Sequence, residues 1–207
     1  RDHDVLTELY NRRAFKRMAL ALLARGPQAA CVGALVMLDL DNLKYINDTY
    51  GHDMGDAYIR CMAASLPSPD GERCLVARMS GDEFFVLFHG YDTQEEVRGQ
   101  IALLRQRMTR ASLTLPDGVR QPVRASGGVA WYPADSDRFD ELVRYADFAM
   151  YQVKNSGKGE FAEFDGEAYR RDAYLVQSRG VLPRLLEQRL VAYHFQPIVQ
   201  VTTGRIF

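Results

Sequence analysis

The chain has 207 residues, of which 47% are hydrophobic and 26% charged, and its formal net charge is −1. That length buries one sizeable core with room for a second small element, and the charge offers no basic excess for nucleic acid or an anionic membrane. No apolar run is long enough to span a bilayer. Three widely spaced cysteines, Cys31, Cys61 and Cys74, have neither metal-ligand spacing nor the even count of a disulfide framework. A cytoplasmic setting without a secretory leader is expected. The start at Arg1 and the stop at Phe207, inside an expected strand, suggest a piece of a longer protein whose N-terminal region could tether it to a membrane.

A polar turn from Asp4 leads to Asn11, a suitable N-cap for a helix running toward Ala24, with Phe15, Met18, Leu20, Leu22 and Leu23 as its expected buried face. Gly26-Pro27 ends it. Arg12 and Arg13 suit surface ion pairs better than phosphate contacts. Val32 to Leu40 is almost wholly apolar and reads as a central strand. It ends in Asp39-Leu40-Asp41. Residues two apart on a strand face the same side, so both carboxylates would converge unless Asp41 already caps the next helix. Asp39 interrupts a hydrophobic strand, and a buried unpaired charge requires compensation.

A short helix over Asn42–Asn47 should follow, its free N–H groups suited to a phosphate, with Lys44 adding positive charge. Asp48 to Asp56, with Gly51 and Gly55, reads as a turn-rich link, and Ala57 to Leu66 as a longer helix. His52, with no second histidine nearby, suits a structural hydrogen bond. Cys74 to Phe88 reads as a hairpin, two runs of β-branched and aromatic residues around Ser80-Gly81-Asp82-Glu83. Two adjacent carboxylates at a turn repel each other, and a cation held between well-anchored strands would offset that. Phe84 to Phe88 lacks alternation, as in a strand covered on both faces.

Asp92 or Thr93 should cap a helix through Met108, whose Arg105, Arg107 and Arg110 suit a solvated face. Val123 to Tyr132 is a strand whose Gly127-Gly128 implies a bulge or a close backbone approach. Phe139 to Lys154 is an amphipathic helix with Leu142, Tyr145, Ala146, Ala149 and Met150 inward, stopped by Gly157. Lys154 and Lys158 at its end would suit dipole complementation alone. Glu160 to Phe164 is a last short strand. The pattern is helical from Asp165 to Leu190, and a new strand begins at Val191.

Residues 4 to 164 resemble the GGDEF family, the diguanylate cyclases. The resemblance rests on Asp4-Val-Leu-Thr-Glu-Leu-Tyr-Asn-Arg-Arg13, on Asp39-Leu-Asp-Asn-Leu-Lys-Tyr-Ile-Asn-Asp48 with Tyr50-Gly-His-Asp-Met-Gly-Asp56, on Ser80-Gly-Asp-Glu-Phe84, and on Ala146-Asp-Phe-Ala-Met-Tyr-Gln-Val-Lys154-Asn-Ser-Gly-Lys158. Gln196-Pro197-Ile198 with Thr203-Gly204-Arg205 is similar to the opening of an EAL phosphodiesterase domain. The organisation implied is a GGDEF domain over 1–165, a helical linker over 166–190 and an EAL fragment over 191–207.

The resemblance implies an α/β (α+β) fold of nucleotidyl-cyclase, ferredoxin type, a mixed and mostly antiparallel sheet surrounded by helices. It also implies condensation of two GTP into cyclic di-GMP and pyrophosphate, with Mg or Mn as cofactor, by a homodimer that holds one GTP per domain. By the same resemblance Asp39, the Leu40 carbonyl and Asp82 hold metal. Glu83 is a further ligand or the proton acceptor, and Gly81 belongs to the catalytic turn. Asn47 and Asp56 would read guanine, while Lys44, Lys154 and Lys158 would hold phosphates.

Four departures from the family pattern stand out. Ser80 replaces the signature's first glycine, a cost of about 1 kcal/mol if that position requires positive φ. Glu8 replaces a glycine and Leu43 a phenylalanine, both expected to be mild. The family's Arg-x-x-Asp inhibitory motif is absent at Gly71-Glu-Arg-Cys74, so product feedback through it is not expected. An alternative reading, favoured by Ser80 and the tandem arrangement, is a non-catalytic GTP-binding module that regulates the following EAL domain.

Overall fold

The structure, a computed structural model, describes residues 2–25, 31–68 and 73–172. The strand expected from Val191, the EAL-like segment and most of the helix expected after Asp165 lie outside the described residues. In chain order the elements are β1 (Tyr10–Asn11), α1 (Arg12–Leu23), β2 (Val32–Leu40), α2 (Leu43–Tyr50), α3 (His52–Ser65), β3 (Cys74–Ser80), β4 (Glu83–Tyr91), α4 (Gln94–Arg110), β5 (Ser112–Thr114), β6 (Arg120–Pro122), β7 (Ala125–Tyr132), α5 (Phe139–Ser156), β8 (Phe161–Glu163) and α6 (Gly166–Arg171). One compact unit ends at Gly166. No described helix is long and apolar enough to cross a membrane.

Six strands form one sheet in the order β1-β3-β4-β2-β7-β8. β2 pairs antiparallel with β4 and β7, and β3 with β4, while the edge pairs β1/β3 and β7/β8 are parallel. This is the mixed, mostly antiparallel α/β sheet that the resemblance implies. β5 and β6 form a separate two-stranded hairpin.

β2 is central because its sequence allows nothing else: Gly33 to Leu38 is buried without a break. Alternation divides its side chains between two cores. Ala34, Val36, Leu38 and Leu40 join Phe84, Val86 and Phe88 on the face covered by α2, α3 and α4. Leu35 and Met37 join Phe85 and Leu87 on the face covered by α1 and α5. Each fully buried Leu, Val or Phe contributes about 1.5–3 kcal/mol. A one-residue slip would turn every one of them to the wrong core, so the register is fixed.

Several local details differ from the sequence reading. α1 buries Ala14, Phe15 and Ala19, whereas Leu20 is exposed, since it lies well off the stripe set by Phe15 and Ala19. α2 continues to Tyr50 and α3 begins at His52, so the expected link over Asp48–Asp56 is mostly helical. Gly51, at φ 87°, breaks the two helices apart. Gly55 lies inside α3 because a Cβ there would overlap the Asn47 side chain. Gly127 and Gly128 form no bulge in the β2/β7 ladder. A Cβ on Gly128 would overlap the Ala146 carbonyl oxygen of α5, and one on Gly127 would lie 2.7 Å from the Phe161 ring. These two glycines let α5 and β8 close on β7. Arg105 is not merely solvated: it pairs with Glu160 and lies over the Phe161 ring.

Candidate active site

The same alternation that divides the core places Asp39. It shares the α1/α5 face with Leu35 and Met37, and its partners in register are Glu83 on β4 and Ser126 on β7. α5 crosses that face, and its last turn delivers Lys154, whose Nζ lies 2.7 Å from Asp39 Oδ2. The Asp39 side chain is 16% exposed and that of Lys154 33%. The compensation that a strand-end carboxylate requires is thus an ammonium from α5.

The hairpin tip comes to the same corner. Gly81 and Asp82 form the two-residue connection between β3 and β4, with Ser80 opposite Glu83. The Leu40 amide donates to the Asp82 carbonyl (2.9 Å), which joins the end of β2 to the tip. Burial, and then the negative charge of Asp39, push the Asp82 carboxyl above the usual carboxylate range, while Lys154 opposes that rise. Arg78 braces the tip from behind. Its Nε and Nη2 donate to the Gly81 carbonyl (3.0 and 2.9 Å), and Nη1 donates to Asp4 Oδ1 (3.2 Å). Asp4 Oδ1 also accepts from the Leu6 and Thr7 amides and from Thr7 Oγ1. Burial works against ionised Asp4, yet its bonds with Thr7 and Arg78 hold the carboxyl below the usual range.

Asp41 faces the same side as Asp39, as residues two apart on a strand should: Ser126, the register partner of Asp39, bonds to Asp41, and the Asp39 charge reaches it. It is no helix cap: the cap position belongs to Asn42, at φ 66° without a side-chain cap bond. Asp41 is instead more deeply buried than Asp39, at 5% exposure. It accepts from Ser126 Oγ (3.2 and 3.1 Å) and from the Gly159 amide (3.1 Å). Burial pushes its carboxyl up, against the Ser126 bond and the Lys158 charge. The sequence gives no sign of this role, because Ser126 and Gly159 lie far along the chain.

The two glycine replacements also exchange significance. Ser80 lies in β3 without positive φ, so the serine carries no backbone penalty there. Its hydroxyl donates to Glu83 Oε2 (2.8 Å), a contact that glycine cannot make. Glu8, expected to be mild, sits at φ 62°, in the left-handed region that favours glycine.

The remaining expected site residues fall on α2, α3 and the turn after α5. Lys44 is exposed in the first turn of α2 and forms no ion pair among the described residues. Asn47 is half-buried against Gly55, and the half-buried Asp56 follows that glycine. Lys158 is exposed at φ 62°. Asp39, Asp82, Glu83 and Lys154 therefore belong to one corner, while Asn47 and Asp56 sit together where α2 meets α3. A groove of about 960 Å³ lies elsewhere, between the N-terminal turn and the end of α3, and is lined by none of Asp39, Asp82 and Glu83.

Among the described residues no three acidic, histidine or cysteine side chains converge closely enough to hold an ion. The donor set at the corner nevertheless suits a hard divalent cation, being carboxylate and carbonyl oxygens. The ammonium of Lys154 against Asp39 is a cation standing at that place, and Asp82 beside it is raised by burial first and by the Asp39 charge second.

Residues 1–160 match the family model described as diguanylate cyclase, GGDEF domain. The chain is 30% identical over 204 residues to cyclic di-GMP phosphodiesterase NbdA of Pseudomonas aeruginosa, covering 99% of this chain and 26% of that protein. It is 29% identical to the bifunctional diguanylate cyclase/cyclic di-GMP phosphodiesterase MucR of the same species, covering 98% of this chain and 29% of that protein. The chain thus spans little more than a quarter of these relatives. The GGDEF-only fragment of TpbB (YfiN) from Pseudomonas aeruginosa superposes with a TM-score of 0.74 at 30% identity, covering 84% of this chain and 99% of that fragment.

Proposed function

The chain belongs to the GGDEF, or diguanylate cyclase, family, and on that premise we propose that it condenses two GTP molecules into cyclic di-GMP, releasing two pyrophosphates. The observation that carries this reading is the corner of Asp39, Asp82 and Glu83 at the end of β2, with Lys154 beside it. Asp39, the Leu40 carbonyl, Asp82 and Glu83 are the groups that would hold Mg²⁺ or Mn²⁺. Such an ion, when bound, offsets charge on the α-phosphate and on the leaving pyrophosphate.

The protein's own groups account for the rest. The Asp56 carboxylate accepts from guanine N1–H and the N2 amino group together, a pairing adenine does not offer, and Asn47 adds an amide beside it. Lys44, Lys154 and Lys158 hold the phosphate chain. For Lys154 this means leaving Asp39, so one ammonium neutralises the Asp39 carboxylate and then the substrate. As a ribose 3′-hydroxyl attacks the α-phosphate, its proton passes to Glu83 or to solvent and the bond to pyrophosphate breaks. Gly81, at φ 32°, turns the chain at the tip, and Arg78 keeps it aligned. One domain binds one GTP, so two domains face each other in a homodimer.

We assign residues 1–165 to the GGDEF domain, 166–190 to a linker and 191–207 to the start of an EAL domain, and we place the protein in the cytoplasm. The end of the family match at residue 160 supports the first boundary.

One observation favours a second reading, a regulatory module that binds GTP without turning it over: Ser80 engages the Glu83 carboxylate. Incubation with GTP and Mg²⁺, followed by mass spectrometry, separates the two. Cyclic di-GMP is expected. GTP binding without product selects the regulatory module, and absence of GTP binding overturns both.

A further inference from the structure

The turn that follows α5 is held in an unusual shape. Gly157, Lys158 and Gly159 have φ of 143°, 62° and 72° in succession. Glycine adopts such values readily; lysine does so only where its surroundings hold it. The Gly157 and Lys158 amides both donate to the Val153 carbonyl, which closes the helix but does not fix the turn to the sheet.

Asp41 makes that attachment. The Gly159 amide donates to Asp41 Oδ2 (3.1 Å) and to Ser126 Oγ (3.2 Å). Ser126, fully buried on β7, donates in turn to both Asp41 carboxylate oxygens. The Asp41 amide donates to the Arg124 carbonyl (2.8 Å), and the Gly127 amide to the Glu160 carbonyl (2.9 Å). The end of β2, β7 and the turn after α5 are thus joined through one buried carboxylate. Its oxygens are engaged by donors of the fold, which sets it apart from Asp39, balanced by a side chain able to move away.

We infer that Asp41 is a positioning residue: through Ser126 and the Gly159 amide it fixes the Gly157–Gly159 turn so that Lys158 presents its ammonium to the nucleotide's phosphates. This rests on the proposed role of Lys158 in holding phosphate. Asp41 acts on the phosphates through Lys158, whose turn it holds and whose charge it faces, so its loss and the loss of the Lys158 ammonium are one loss counted twice.

The test is a double-mutant cycle on GTP affinity, measured by equilibrium titration of the full chain with Mg²⁺ present. Lys158→Ala is expected to weaken GTP binding by about tenfold and Asp41→Asn by about three- to tenfold, with the double variant no weaker than Lys158→Ala alone. Mn²⁺ affinity without nucleotide should fall by no more than about threefold in Asp41→Asn, because the ion's proposed ligands are kept and only a neighbouring charge is lost. Ser126→Ala keeps the carboxylate and serves if Asp41→Asn fails to fold; a loss of about two- to threefold is expected, again absent in the Lys158→Ala background. Three results overturn the inference: parental GTP affinity in the Asp41 and Ser126 variants, losses that multiply with that of Lys158→Ala, or parental affinity in Lys158→Ala itself. The readout is binding, so absence of cyclic di-GMP alone counts against the cyclase reading and not against this one.

Discussion

Two turns flank the end of β2, and they treat acidic residues in opposite ways. The turn after α5 is closed: Asp41 lies beneath it at 5% exposure, bound by a buried hydroxyl and a backbone amide. The turn between β3 and β4 is open: Gly81 is exposed, Asp82 is half-buried beside another negative charge, and Glu83 is met by one exposed hydroxyl. Nearness to a site therefore does not make an acid a ligand. On the proposed reading, an acid engaged by fixed donors holds the fold, whereas one balanced by a movable ammonium or hydroxyl is available for chemistry.

The largest expected effect breaks that contrast at the open turn. Asp82→Asn should lower cyclic di-GMP formation by about a hundredfold or more. The same change should stabilise the fold. Burial and Asp39 raise the Asp82 carboxyl, so its favourable contribution is present below the ordinary carboxylate range and lost as pH rises through the raised value. Ionised Asp82 thus weakens the fold at neutral pH. Asparagine removes that cost: Tm should rise at pH 7 and be nearly unchanged near pH 3. A lower Tm at pH 7 would contradict the reading of an open, charge-strained turn.

On the closed side the large effect is on stability. Gly128→Ala places a Cβ on the Ala146 carbonyl oxygen and 2.5 Å from the Met150 amide nitrogen, both backbone atoms of α5. Overpacking of this kind costs about 3 kcal/mol, and Tm should fall by roughly 5–10 °C in thermal unfolding. A smaller effect sharpens the comparison. Ser80→Gly frees Glu83 from an exposed hydrogen bond and should raise turnover by about two- to fivefold, with Ser80→Thr at the parental rate. Smallest is Glu8→Gly, which relieves a left-handed glutamate but loosens the unfolded chain; denaturant unfolding should show a gain of no more than about 1 kcal/mol.

What the sequence made legible follows the range of the interactions involved. β2 and the β3–β4 hairpin were plain because their signals are local, an unbroken apolar run and two such runs around a polar tip. The start of α3 was obscured because Gly55, which resembles a turn residue, is there to admit the Asn47 side chain from another helix. Gly127-Gly128 announced a close approach, but not that α5 and β8 are what approach. The β5–β6 hairpin had a readable turn in Pro116-Asp117-Gly118, yet its strands are three residues each, too short for alternation to register. Asp41 was beyond reach: its donors are 85 and 118 positions away, and only the fold brings them together. Serine for glycine at position 80 and glutamate for glycine at position 8 look alike in sequence; only the backbone angle tells them apart.

The account's central claim is that the end of β2 and the hairpin tip grip a cation against a nucleotide's phosphates. Mn²⁺ anomalous scattering from crystals grown with a non-hydrolysable GTP analogue tests it directly. The account predicts a peak shared by Asp39 and Asp82, with Lys154 withdrawn from Asp39 and turned to phosphate. A nucleotide seated with the Asp39–Lys154 pair still at 2.7 Å, and no ion between the two acids, would contradict it.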